Sequence, residues 1–235
     1  MNMKWIANRR AAAAVDFYPW QKSVFQDRTT GVLVLFCSRQ IGKSYVLAAW
    51  SVDRIFQQLQ KRENESWLVT VLSNSRDNGA EFALKCQEVC RRYRKAFEAV
   101  ELESNAEDLD RRSDISEDVK YELMRFEIRL TMKDKLGRIK ILAANPRTAR
   151  GFSGDLVLDE FAFHRDSAAI WEAAEPILSR NPEFLCRIAS TANGKHNMFY
   201  RMVTGASWHC RHLGGKPEGV PVAVGARFFQ RAQMP

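Results

Sequence analysis

The chain lacks a long apolar run, a paired-cysteine framework and any excess of acid. No apolar stretch approaches the roughly 20 residues that span a bilayer, and no charged-then-apolar leader opens the chain, so no membrane association or export is expected. Cysteine is scarce and odd in number, five in 235 residues, at Cys37, Cys86, Cys90, Cys186 and Cys210. They form no C-x-x-C pair, which excludes a disulfide scaffold and fits a reducing cytoplasm. Cys86 and Cys90 lie one helical turn apart and read as core. His209, Cys210 and His212 cluster near the end, but no second ligand pair exists elsewhere to make a metal site. There is no internal repeat. Acid is outnumbered, with Lys+Arg 36 against Asp+Glu 28 and a formal net charge of +8. Such a balance attracts polyanions at long range.

What is present is an ordinary globular composition, 46% hydrophobic and 27% charged, in a chain long enough for one α/β domain with its own core. Residues 1–15 start basic and pass into an alanine run. Asp16-Phe17-Tyr18-Pro19 reads as a helix start with proline near its first position, running to about Asp27. Val32–Phe36 reads as a buried strand, Tyr45–Leu59 as a helix, Trp67–Leu72 as a strand and Asn78–Phe97 as a helix with apolar residues at helical spacing. Residues 101–120 are acidic and read as an exposed loop or solvated helix. Phe126–Leu130 and Ile139–Leu142 read as a hairpin turning over Asp134-Lys135-Leu136-Gly137. Asp155–Glu160 and Phe184–Ser190 read as two more strands. Strands alternating with helices predict a mostly parallel sheet with helices on both faces, which binds ligands at the carboxyl ends of its strands.

The chemistry-bearing residues fall at such ends. Ser38-Arg39-Gln40-Ile41-Gly42-Lys43-Ser44 follows the first strand and precedes a helix. That is the pattern of a phosphate cradle: backbone N–H groups and a helix N-terminus face the phosphates, Lys43 adds a point charge, and the Ser44 hydroxyl can ligate Mg²⁺. Cys37 stands where the common pattern has its first glycine. Asp159 and Glu160 end another apolar strand, Asp159 suited to holding Mg²⁺ through water and Glu160 to polarising a water for in-line attack on a γ-phosphate. Ser190, Thr191 and Asn193 follow the next strand, as hydroxyl and amide groups that sense the γ-phosphate, or as a plain Asn-Gly turn. Arg147 and Arg150, just before the Asp-Glu strand, and Arg39 within the loop are candidates for stabilising charge in the transition state.

Taken in order, these motifs resemble the large terminase subunits, the DNA-packaging ATPases of tailed bacteriophages. The likeness runs from about Phe17 to Tyr200. It rests on Ser38–Ser44 as a deviant phosphate loop, Arg147–Gly151 leading into Gly154–Glu160, Ser190–Gly194 as a coupling motif, and Tyr18-Pro19-Trp20-Gln21 as the upstream segment. The resemblance implies a P-loop fold of the RecA-like, additional-strand, catalytic-glutamate class. It implies that Gln21 reads adenine, that ATP and Mg²⁺ bind, and that the chain works on double-stranded DNA as a ring at a capsid portal with a small terminase subunit, in the bacterial cytoplasm. It divides the chain into an arm and adenine-side helix (1–30), an ATPase core (31–204) and a Gly/Pro-rich linker or truncated start of a nuclease domain (205–235). Only Glu218 is acidic in that tail, so a metal-dependent nuclease is not expected. Two other readings stay open: a superfamily 2 helicase-like ATPase fragment, and a non-catalytic nucleic-acid-binding prophage remnant.

Overall fold

The computed structural model describes residues 15–61, 63–107, 119–123, 126–132, 134–144, 146, 153–204 and 224–229. The elements in chain order are α1 (Pro19–Phe25), β1 (Val32–Cys37), α2 (Lys43–Gln60), β2 (Ser66–Ser73), α3 (Arg76–Glu107), β3 (Val119–Leu123), β4 (Glu127–Met132), β5 (Lys135–Ala143), β6 (Asp155–Asp159), α4 (Ser167–Ser179), β7 (Cys186–Ser190), α5 (Met198–Thr204) and β8 (Val224–Phe229). They form an 8-stranded sheet in the order β3-β4-β5-β2-β6-β7-β1-β8. From β5 to β8 every pairing is parallel, and only β3–β4 and β4–β5 are antiparallel.

Alternation along the strands explains why both sheet faces are covered. Leu33, Leu35, Val69, Val71 and Val157 point into one apolar cluster with residues of α2 and α3. Val32, Val34, Leu156, Leu158 and Ile188 point into the other, beneath α4 and α5. Strands buried on both faces carry near-continuous apolar runs, and Val32–Cys37 is of that kind. The helix start at Tyr18 is a capping box in which Gln21 Oε1 accepts from the Tyr18 N–H at 3.0 Å.

The hairpin turns earlier than the sequence suggests. Lys135, Leu136 and Gly137 already belong to β5. Gly137 is required by packing: a Cβ there would lie 2.1 Å from Ile55 Cγ2 and 3.1 Å from Leu59 Cδ1 on α2. The helix expected over Asn78–Phe97 runs on to Glu107, and the tail read as a linker or the truncated start of a further domain contains β8, paired with β1. The expected N-terminal arm, most of the acidic segment and the His209–His212 cluster lie outside the described residues. Among the described residues no helix is long and apolar enough to cross a membrane.

Two buried ionic networks fix the end of the sheet away from the strand carboxyl ends. Arg54 Nε donates to Asp155 Oδ2 at 2.8 Å, and Asp155 also accepts from Trp67 Nε1 at 2.6 Å and the Leu185 N–H at 2.7 Å. Arg187, fully buried on β7, lies over the Trp50 ring at 4.7 Å and donates to the carbonyls of Thr30 (2.8 Å) and Asp27 (3.0 Å). Burial raises the Asp27 carboxyl, but hydrogen bonds from Thr30, the charge of Arg187 and the Thr29 N–H outweigh it, so the net shift is downward.

Asp155→Ala leaves the Arg54 guanidinium buried without its partner and should cost about 3–5 kcal/mol, read from the urea midpoint. Arg54→Met with Asp155→Leu should recover much of that loss. A carboxyl held below its unfolded value stabilises the fold above that value and loses the contribution as pH falls through it. Stability should therefore drop below about pH 4, and Asp27→Asn should make that limb shallower in acid titrations followed by circular dichroism.

Candidate nucleotide site

Parallel register brings the separated motifs to one end of the sheet, the carboxyl ends of its interior strands. Strand β7 lies between β1 and β6, with Ser190 beside Phe36 and Ala189 beside Asp159. The residues just beyond these ends, Ser38–Ser44 and Asp159–Glu160, therefore face each other across the end of β7.

The loop is shaped by left-handed backbone at Gln40 (φ 61°) and Gly42 (φ 82°). For Gln40 that conformation costs about 1–2 kcal/mol, and alternating left- and right-handed residues turn successive N–H groups inward as an anion nest. Gly42 is the N-cap of α2, so the unpaired first-turn N–H groups of that helix open on the loop. Gln21, only 4% exposed, donates through Nε2 to the carbonyls of Gly42 (3.1 Å) and Ile41 (3.4 Å). A Cβ at Gly42 would meet Gln21 Nε2 at 2.5 Å. The side chain expected to face adenine is engaged here on the loop itself. Ser38 is half-buried, and Arg39 and Gln40 are exposed, while Ile41 is buried. Cys37 is buried too, and burial pushes its thiol up to about 12, so it offers no thiolate to the site.

Lys43 Nζ lies 2.8 Å from Glu160 Oε1. Glu160 Oε2 is buried without a hydrogen-bond partner among the described residues. Ser44 Oγ lies 3.0 and 3.2 Å from the two carboxylate oxygens of Asp159. Burial and then the neighbouring Glu160 push the Asp159 carboxyl up to about 6, against the opposing pull of Ser44 and Lys43. Two hard oxygen donors with an under-compensated buried carboxylate suit Mg²⁺. Lys43, Ser44, Asp159 and Glu160 thus come together in two adjacent pairs.

Glu160 leaves its strand in left-handed backbone, φ 54°, and enters a single 3₁₀ turn, Phe161–Phe163. Ser190, at the end of β7, and Asn193, three residues beyond it, hold that turn. Ser190 Oγ accepts from the Ala162 N–H at 3.1 Å, and Asn193 Nδ2 donates to the Ala162 carbonyl at 2.9 Å. The neighbouring Thr191 is buried. Sequence reasoning missed His164. Its Nε2 is 3.0 Å from the Asp159 carbonyl, which only accepts, so Nε2 carries the proton. Burial pulls this imidazole down to about 4, keeping it neutral. A histidine five residues past a strand-end Asp carries no periodic signal that would have revealed it. Arg147 and Arg150 lie outside the described residues.

A family model for the N-terminal part of the terminase large subunit, T4likevirus-type, matches residues 34–221. The chain belongs to this terminase large-subunit family. The terminase fold recurs in solved structures. The large terminase ATPase domain of Thermus phage P74-26 superposes with a TM-score of 0.62 at 19% identity, covering 93% of this chain and 82% of that one. The HK97 bacteriophage large terminase gives 0.58 at 16% identity, covering 85% and 41%. The large terminase of a thermophilic bacteriophage, solved in complex with ATP-gamma-S, gives 0.52 at 12% identity, covering 93% and 46%. The chain thus spans less than half of those last two terminases. In sequence, the Mu-like prophage FluMu protein gp28 of Haemophilus influenzae is 35% identical over 66 residues, 28% of this chain and 13% of that protein.

Removing the Ser190 hydroxyl leaves the buried Ala162 N–H without its acceptor. Ser190→Ala should cost about 1–3 kcal/mol in urea unfolding and speed amide exchange at Ala162, measured by NMR, far more than at Ile188 on the same strand.

Proposed function

We propose that this chain is the ATP-hydrolysing motor domain of a phage DNA-packaging terminase, coupling turnover to movement of double-stranded DNA into a capsid. The observation that carries this is the meeting of Lys43 with Glu160 and of Ser44 with Asp159 at one end of the sheet. In this reading Lys43 and the N–H groups of the Ser38–Ser44 loop bind the β- and γ-phosphates of ATP. Ser44 and Asp159 would hold Mg²⁺, which would supply neutralisation of charge at the phosphate oxygens. Glu160 orients the attacking water and takes its proton. Arg39 in cis, or Arg147 or Arg150 from a neighbouring copy, completes the charge stabilisation. Ser190, Thr191 and Asn193 pass the state of the γ-phosphate on to the DNA-engaging parts. Gln21 sets the loop and, on the family's pattern, faces the base. The same reading takes residues 31–204 as the ATPase core, working as a homo-oligomeric ring on a portal with the small terminase subunit, in the host cytoplasm.

The resting pair has a consequence. Lys43 cannot serve Glu160 and a phosphate equally, so the incoming nucleotide must displace Glu160, freeing it for water. Glu160→Gln removes the competing charge and should tighten ADP binding several-fold, read by fluorescence of a labelled ADP. ADP is chosen because no hydrolysis then complicates the comparison.

The deciding experiment is ATP hydrolysis by the purified chain with Mg²⁺, with and without double-stranded DNA, beside Glu160→Ala. Turnover should fall by about 10²–10⁴-fold in the variant, and DNA should stimulate the wild type. Nucleotide binding without turnover, at high protein concentration and with DNA present, would sink the motor reading. ATP-driven strand separation would move the reading to a helicase.

A further inference from the structure

Two loops beyond the nucleotide site are tied together at both ends in one register. Asn193 Nδ2 donates to the Ala162 carbonyl at 2.9 Å, and the Met198 N–H donates to Ser167 Oγ at 2.9 Å. Both bonds join residues 31 apart in sequence. Segments 162–167 and 193–198 are therefore joined at both ends, with Arg165 on one and Lys195 and His196 on the other. Arg165, Lys195 and His196 are all exposed. Asp166, the acid nearest in sequence, turns its Oδ1 to cap the Ala169 N–H at 3.2 Å. Among the described residues, the ion pairs include neither Arg165 nor Lys195.

Exposed cations without a counter-ion are open to an anionic partner. The chemistry of the surroundings narrows the partner. Among the described residues the exposed large hydrophobic ones are Tyr18, Leu84 and Leu136, none of them in these two segments. A protein partner ordinarily needs an apolar centre to its interface, whereas backbone contact with nucleic acid needs only charge and polar groups. Gly194, left-handed at φ +68°, has nothing among the described residues within 4 Å of the place a Cβ would occupy. The chain's net charge of +8 draws such a polyanion in.

We propose that the paired segments 162–167 and 193–198, through Arg165 and Lys195, grip the phosphate backbone of double-stranded DNA. This rests on the reading of the chain as a DNA-translocating ATPase. It adds the place where the nucleotide's state reaches DNA: Arg165 is five residues beyond Glu160, and Lys195 is two residues beyond the Asn193 that clamps Ala162.

The test is anisotropy of a short fluorescein-labelled duplex of mixed sequence, titrated with the full chain over a range of salt and without nucleotide. Arg165→Ala with Lys195→Ala should weaken binding roughly tenfold at moderate salt and flatten the slope of log affinity against log salt by about 1.8, two phosphate contacts' worth. Thermal melting should not change, because both residues are exposed. A control that removes two exposed cations elsewhere, Lys22→Ala with Arg91→Ala, should keep the wild-type slope. The proposal is overturned if the wild type does not bind duplex, if the double variant binds with unchanged affinity and slope, or if both double variants lose the same amount. Because the assay uses no nucleotide, absence of ATP hydrolysis would defeat the motor reading while this result still decides the surface.

Discussion

Everything at the candidate nucleotide site depends on β7 standing between β1 and β6. The phosphate loop and the carboxylates come from strands that do not touch, and five buried residues, Cys186–Ser190, set the gap between them. A parallel ladder fixes that gap in register as well as in distance, because a slip of one residue would turn every side chain to the opposite face. Arg187 locks the slip out further. Its guanidinium, buried against Trp50, finds the Thr30 and Asp27 carbonyls only in the observed register.

The same strand joins structure to chemistry. Its last residue, Ser190, and the nearby Asn193 hold the Ala162 amide from both sides, two residues past Glu160. His164 holds the Asp159 carbonyl from below the turn. The left-handed kink at Glu160 is thus fixed by three neighbours rather than by its own preference, since a non-glycine residue resists that conformation. The carboxylate beyond the kink has one oxygen on Lys43 and one oxygen buried without a partner among the described residues. That is an arrangement ready to change partners.

Much of this was legible in the residues. The apolar run Val32–Phe36 before Gly42-Lys43-Ser44 placed the loop, and Leu156-Val157-Leu158 before Asp159-Glu160 placed the carboxylates, because buried parallel strands announce themselves by composition. Less legible was whatever depends on distant packing. Gly137 reads as a turn residue, yet its neighbour is Ile55 on α2, more than eighty positions away, and local sequence carries no trace of that contact. Gln21 is similar: a glutamine at the third position of a helix signals a capping box, but nothing nearby announces the Ile41 and Gly42 carbonyls. The strand at Val224–Phe229 is hidden by the glycines and prolines around it and exists through pairing with β1. His164 is a polar residue drawn inside by tertiary contacts, and periodicity is blind to those.

The bare backbone at Gly137 turns α2 into a lever. The helix rests on β5 at Ile55 and carries Lys43 at its far tip, twelve residues and about 18 Å away at 1.5 Å per residue. A single methyl group under Ile55 would act as a shim, tilting the rod and swinging its tip sideways at the phosphate loop. The aim of the candidate pocket is therefore set partly by a residue far from it, on a strand that contributes no side chain to the Lys43–Glu160 and Ser44–Asp159 contacts.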